Sequence, residues 1–310
     1  MDGTQGVITV QWREGRGATL HLPAEASGLG ARLPPLQGFA QRAVQWLQQL
    51  GLQQGQFALQ LHDEAPWMPC FRFDAPLQPD GGGPLIPDPY ALGTQGFAAV
   101  RDSFQRLPLP PWRERLGLAI WRGSSTGSPA LHRGNLWKNR RYQLCQLSQR
   151  LPQLLDARFT AVVQSANPTA RSGLISLLRQ QGHLAPRLQP WQLALHRFLI
   201  EIDGNVNSWG LLWKLLSGCC ILRVSSGRRQ WYHHRLQAWV HVVPVAADLS
   251  DLPDKLAWCQ AQPEACQAIA SAGQRLGLQV VAELEQDQQR AVLEWAKPWM
   301  EAAPGRPPIG

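Results

Sequence analysis

The sequence predicts an α/β protein whose second half is a nucleotide-binding unit of the Rossmann type, preceded by a smaller α/β unit. Three observations carry that expectation. From residue 116 onward, short apolar runs alternate with stretches of helical periodicity, the pattern of parallel strands joined by crossover helices. Several runs end in segments rich in Gly, Ser, Asp and Asn, and ligands of such sheets lie outside the carboxyl ends of the strands. The composition, 44% hydrophobic and 17% charged over 310 residues, supports packed cores rather than disorder.

Residues 36–50, LQGFAQRAVQWLQQL, place Leu36, Phe39, Val44, Leu47 and Leu50 near one helical face. After Gly51 and Gly55, strict alternation of Phe57, Leu59 and Leu61 predicts a strand that ends at His62-Asp63-Glu64-Ala65-Pro66. Residues 74–96, with GGGP and IPDPY, read as a long irregular loop. A boundary is expected near PLPPWRER, residues 108–115. Beyond it come a strand at LGLAIW, a helix over about 135–150, and strands at 157–163, 196–202, 219–224 and 239–245. Helices are expected at GLLWKLLSG, DLPDKLAWCQ, PEACQAIASAGQRLG and about 284–300. The resulting division is 1–111, 112–283 and a terminal helix and tail at 284–310.

Charge and cysteine usage narrow the function classes. The net charge of +8 permits nucleic acid, an anionic membrane surface or a phosphorylated ligand. No helix-turn-helix, zinc-finger or RNA-recognition signature accompanies it, so nucleic acid is not the expected partner. Arg133, Lys138, Arg140 and Arg141 cluster in HRGNLWKNRRYQ, most simply as a solvated helix face. The six cysteines lack C-x-x-C spacing and read as free, structural thiols. No apolar run reaches the roughly 18 residues of a membrane span, and the first thirty residues lack a secretory layout, so a cytosolic protein is expected. Fourteen tryptophans are many for this length; most buried indoles fill cores, and the excess gives only weak support to a carbohydrate ligand.

Three segments follow strands and could carry chemistry. Arg122-Gly123-Ser124-Ser125-Thr126-Gly127-Ser128 combines a cation, glycines that admit close backbone approach, and hydroxyl donors, a set suited to phosphate. It is neither a Walker A loop nor G-x-G-x-x-G, and Ser/Gly stretches of this kind are usually plain turns. Asp203-Gly204-Asn205-Val206-Asn207-Ser208 lies between a strand and a helix, where it is either a helix cap or the seat of a diphosphate or ribose. Asp63 is a candidate general base, with Glu64 as its rival and a surface turn acid as the plainer alternative. His241 alternates with apolar neighbours and reads as a packing residue, and His233-His234 lack metal-ligand spacing.

Taken in order, WRGSSTG, LLDARFT, FLIEIDGNVNSW, KLLSGCCILRV and QWYHHRLQAWVHVVPVAADLSDLPDKLAW resemble the Rumi-like glycosyltransferases. This is glycosyltransferase family 90, which also holds capsule-associated and lipopolysaccharide-modifying proteins and protein O-glucosyltransferases. The similarity covers residues 112–280 well and 56–106 more loosely. It implies a GT-B fold, two Rossmann-like domains with the active site in the cleft between them. It further implies an inverting, metal-independent transfer from a UDP-sugar, commonly UDP-glucose or UDP-xylose, to an acceptor hydroxyl, with no cofactor. Asp63 occupies the position of the family's base. Arg122, Gly123, Ser124, Ser125 and Thr126 occupy that of its donor-phosphate segment. Asp203, Gly204, Asn205, Asn207 and Ser208 form the second donor segment.

The animal enzymes carry Ser-x-Arg where this chain has Ser208-Trp209-Gly210. Lys214, Arg122 and Arg223 are the candidates to replace that charge. The IDGNxNSW form looks like the family's bacterial branch, for which a cell-surface glycan or lipopolysaccharide precursor is the expected acceptor and peripheral contact with the inner membrane is compatible. A family member that binds sugar nucleotides or glycans without catalysis is the alternative.

Overall fold

The computed structural model describes residues 6–23, 30–63, 68–107 and 109–301. In chain order, β1 (Val7–Trp12) and β2 (Thr19–His21) come from the opening stretch, to which the sequence reading assigns no element. Helix α1 (Leu33–Gln49) starts with prolines in its first turn and buries Leu36, Phe39, Ala40, Ala43, Val44 and Leu47, so the predicted face is the packed one. It ends before Gly51, whose φ of +86° suits glycine. Strand β3 (Gly55–Gln60) follows, then β4 (Ala75–Pro76) and a short helix α2 (Pro89–Gly93). The segment expected to be an irregular loop thus contains a helix, capped by Asp88, which accepts from the N–H groups of Tyr90 and Ala91.

Helix α3 (Ala98–Arg106) precedes β5 (Leu116–Ser124), α4 (Arg140–Arg150), β6 (Leu155–Ala161), α5 (Pro168–Gln180), α6 (Pro190–Leu193) and β7 (His196–Glu201). Then come α7 (Leu211–Leu216), β8 (Cys220–Val224), β9 (Arg228–Arg229), β10 (Val243–Val245), α8 (Leu252–Ala261), α9 (Pro263–Ala282) and α10 (Leu284–Glu301). The helix expected from about 135 is a 3-10 turn at Leu136–Lys138 followed by α4. Asn139 breaks it by taking an extended backbone and capping Tyr142 N–H. The strand expected over 239–245 shrinks to β10, because Trp239 sits at φ +64° in a turn. His241 therefore precedes the strand, and its ring nitrogen accepts from Gln237 N–H.

Contacts group the chain into two units: Met1–Phe97 with Gly227–His234 and Val280–Gly310, and Ala98–Ser226 with Arg235–Gln279. Two excursions therefore place in the first unit residues that the sequence reading assigns to 112–283. In the first unit β1 pairs antiparallel with both β2 and β3, and beyond β3 the chain pairs in parallel at Leu59–Phe71 and Arg72–Leu85. Its core joins Ile8, Val10 and Leu59 to Phe39, Val44, Phe71 and Val292. The first unit thus carries mixed pairing among the described residues, where a Rossmann-like domain is expected to carry a parallel sheet.

The second unit is the Rossmann-type one. Its five strands run β10-β8-β7-β5-β6, every pair parallel. The chain leaves β5, forms β6 on one side, then crosses back to lay β7 on the other side of β5. This is the doubly wound order 2-1-3-4-5, whose winding direction reverses between the first and third strands. The reversal falls between β5 and β7. The sheet's core includes Ala119, Trp121, Phe159, Phe198, Ile200 and Leu222. All six cysteines are free and buried, as expected of structural thiols. Among the described residues, no helix is long and apolar enough to cross a membrane.

Candidate functional site

A parallel sheet leaves a crevice where neighbouring connections depart to opposite faces, and ligands lie there, outside the strand ends. The loops leaving β5 and β7 are the two glycine-containing segments singled out above. They touch directly: Gly127 donates its N–H to Asn205 Oδ1 at 2.8 Å. Gly127 holds φ +100°, a backbone that side chains rarely adopt. A Cβ on Gly204 would run into the Thr126 hydroxyl, so both glycines are required by the close approach.

Each loop is also closed internally. Ser125 is buried, donates its hydroxyl to the Val163 carbonyl at 3.0 Å and accepts from Val163 N–H at 2.9 Å. Asn139, while capping α4, donates to the Thr126 carbonyl at 3.0 Å. In the second loop Asp203 Oδ1 accepts from Ser208 N–H at 3.0 Å, and Gly204 N–H donates to the Val206 carbonyl at 3.2 Å. Asn207 is buried beside them. Helix α7 begins only at Leu211, with Gly210 as its cap. That matches the helix expected at GLLWKLLSG, and the Asp203–Ser208 bond closes a turn just before it.

The cations are arranged differently from expectation. Arg122 donates through Nη2 to Asp156 Oδ2 at 2.5 Å, and through Nη1 to the carbonyls of Trp121 and Asp156, both at 2.9 Å. Its side chain is 8% exposed. Lys214 is buried against Glu201, with which it forms an ion pair, and donates to the Ile200 carbonyl at 3.1 Å. Arg223 stands opposite Glu201 in the β7–β8 register. Arg122 and Lys214, named above as charge donors, are thus engaged with carboxylates beneath the loops.

The guanidinium that reaches both loops belongs to Arg141, expected to be on a solvated helix face. It is buried in the first turn of α4. Nη1 donates to the Ser124 carbonyl at 3.0 Å and the Thr126 hydroxyl at 2.6 Å, Nε to the Asp203 carbonyl at 3.0 Å, and Nη2 to the Ile202 carbonyl at 3.0 Å. Burial works against its charge, and the Glu201 and Asp203 carboxylates support it. The indole of Trp121 lies under it, 5.6 Å from ring centre to guanidinium carbon. Lys138 and Arg140 of the same cluster are exposed, as expected. The signal that could have found Arg141 is its helical spacing with Cys145 and Ser148, which are also buried.

The family model for "Glycosyl transferase family 90" matches residues 96–287. The chain belongs to glycosyl transferase family 90. Both site loops fall inside the family 90 segment, and Asp63 falls outside it. Among relatives, an uncharacterized protein, 035R, of Invertebrate iridescent virus 3 is 35% identical over 163 residues, covering 51% of this chain and 14% of the viral protein. Human protein O-glucosyltransferase 1 is 26% identical over 193 residues, covering 62% of this chain and 44% of that enzyme. The chain thus spans about a seventh of this viral relative and less than half of the human one. Anabaena Alr3699/HepE, solved in complex with UDP-glucose, aligns with a TM-score of 0.40 at 13% identity, over 62% of this chain and 51% of that one.

In the first unit, Asp63 follows β3, and Arg32 Nη1 donates to its Oδ1 at 2.9 Å. Both side chains are about a quarter exposed, at 28% and 25%. The rival Glu64 lies outside the described residues.

Proposed function

We propose that the chain transfers a sugar from a UDP-sugar to an acceptor hydroxyl, with inversion and without a metal. The observation that carries the reading is the meeting of the β5 and β7 loops at the point where the sheet's winding reverses. Membership of family 90 supports the reaction class, and the name of the animal relatives favours glucose as the sugar, with xylose as the second candidate.

In this reading the donor diphosphate rests on Gly123, Ser124 and Thr126, while Ser125, buried and bonded to Val163, anchors that loop; Asp203, Gly204, Asn205, Asn207 and Ser208 seat the diphosphate or the ribose. Arg122 and Lys214 support the strands beneath. Asp63 takes the proton of the acceptor hydroxyl. The oxygen then attacks the anomeric carbon from the face opposite UDP, the bond from sugar to phosphate oxygen breaks, and UDP leaves with the electron pair. Preorganised donors and positive charge at the diphosphate stabilise the departing anion. The acceptor we favour is a hydroxyl of a cell-surface glycan or lipopolysaccharide precursor, the substrate class of the family's bacterial branch. That acceptor would place the protein in the cytoplasm or at the inner face of a membrane.

Thermal melts in EDTA with UDP, GDP, ADP and UDP-sugars test the donor half. A ligand present at about 100 times its dissociation constant adds roughly 2.7 kcal/mol. A rise confined to uridine diphosphates supports the reading and selects the sugar for transfer assays; no rise with any of them overturns it. Binding without transfer or donor hydrolysis would instead mark a non-catalytic family member.

A further inference from the structure

We propose that Arg141 is the positioning residue of the donor diphosphate site, clamping the β5 and β7 loops into the form that accepts an anion. The inference rests on the UDP-sugar reading above and deepens it.

Ligands of a parallel sheet sit in the crevice outside the carboxyl ends of the strands, next to the backbone carbonyls with which those strands end. An anion entering there meets their negative ends. Arg141 occupies the carbonyls of Ser124, Ile202 and Asp203 and the hydroxyl oxygen of Thr126. One planar fork therefore takes four acceptors, two from each loop, and offers them to no incoming anion. Its guanidinium also lies over the Trp121 ring, 5.6 Å from the ring centre.

The geometry is specific to a guanidinium. Its N–H donors diverge in a fixed plane, whereas an ammonium is a compact point charge with three donors. The fork also sets the loop spacing. With Thr126 drawn onto Nη1, Gly127 comes within 2.8 Å of Asn205, and only a glycine at 204 leaves room. Asn139 holds the other side of Thr126 from the cap of the same helix. The first turn of α4 thus delivers two groups, from its cap Asn139 and from Arg141, to one loop residue. A residue serving the sheet alone would have no need to bind the Thr126 hydroxyl, which lies beyond the strand end.

Isothermal titration with UDP and with uridine, in EDTA, separates this role from a general structural one. Arg141→Lys keeps the charge and loses the fork. It is expected to weaken UDP on the order of tenfold or more while uridine is unchanged within about twofold. Thr126→Val removes one acceptor with little change of shape and is expected to weaken UDP severalfold, again without effect on uridine. Should Arg141→Lys lose its cooperative melt, Thr126→Val and Gly204→Ala carry the test, with the same selective loss for UDP expected. Equal losses for UDP and uridine, or folded variants that bind UDP as the wild type does, overturn the proposal. A wild type that binds no uridine compound at all would instead overturn the donor reading, a result distinguishable from variants that lose nothing.

Discussion

Gly127 N–H and Asn205 Oδ1, 78 positions apart in sequence, meet at 2.8 Å across the two loops that leave β5 and β7. The bond exists because Gly127 adopts φ +100° and because Gly204, whose carbonyl oxygen lies 3.3 Å from where a Gly127 Cβ would stand, offers no side chain of its own. Gly127→Ala should therefore destabilise the fold by about 1–3 kcal/mol, the cost of holding a side chain in that backbone region. Asn205→Ala, on an exposed residue, should cost less than about 1 kcal/mol. Both should weaken UDP in titration calorimetry. A Gly127→Ala protein with wild-type melting and UDP affinity would show that the loop junction is not under this constraint.

Arg122 and Asp156 make a second test, because their pairing decides whether Arg122 belongs to the ligand or to the sheet. The guanidinium is 8% exposed and Asp156 21%, and Asp156 also pairs with Arg158 at 3.0 Å. Removing the carboxylate leaves a buried cation with two carbonyls but no counter-charge. Asp156→Ala is expected to lose about 3–5 kcal/mol, the range for breaking a buried pair on one side. Arg122→Met should lose less, since it leaves the less buried partner, which retains Arg158. Chemical denaturation measures both. If Arg122→Met instead abolishes UDP binding with little loss of stability, Arg122 faces the diphosphate after all.

These cases show what the chain discloses before it folds. The sheet of the second unit was legible because its strands are short apolar runs such as LAIW and FLIEI, each followed by a glycine-bearing turn. Helix α1 was legible because its apolar positions recur on one face after two prolines. The two loops were legible as residue types. Their contact was not, since it depends on β7 returning to the far side of β5, a tertiary fact. Arg141 was hidden for a different reason. Next to Arg140 it reads as surface charge, and only its alignment with Cys145 and Ser148 separates the buried cation from the exposed one. Strand β1 does alternate, with Ile8, Val10 and Trp12 buried on one face and Thr9 and Gln11 on the other, but this short run stands alone in the opening stretch with no turn signal or second periodic run to name its partner. The antiparallel sheet it forms was therefore not foreseen.

Asp63 carries the catalytic half of the proposal. Its carboxylate is held by Arg32 at 2.9 Å, in a partly exposed pair. Pairs of this exposure contribute about 0–1 kcal/mol, so Asp63→Asn should melt within a degree or two of the wild type. Loss of a general base lowers turnover by about 10²–10⁴. The expected outcome is a kcat reduced by that factor with UDP affinity unchanged. Turnover at the wild-type level would remove Asp63 from the role and direct attention to Glu64.

Asp88 supplies a prediction about pH that does not depend on the enzymatic reading. It caps α2 through Oδ1, while Oδ2 is buried with no hydrogen-bond partner among the described residues. Burial pushes its carboxyl up from the ordinary 3.8 to about 7, against the pull of the Ala91 and Tyr90 N–H groups. The sign follows from proton counting. Below about pH 4 the folded and unfolded chains both hold this proton, and the group's contribution to stability is fully present. Between about 4 and 7 the folded chain holds it and the unfolded chain does not, so stability falls as pH rises. Above about 7 the buried carboxylate is charged and the loss is complete, on the order of a few kcal/mol at 1.36 kcal/mol per pKa unit. Asp88→Asn retains an oxygen for the cap but cannot ionise. Relative to this variant, the wild type should lose stability steadily from pH 4.5 to 7.5 in denaturant titrations, and the variant should be the more stable protein at pH 8. Because the comparison is a difference, other titrating groups cancel to first order. Parallel stability curves across that range would show that Asp88 does not change its charge there.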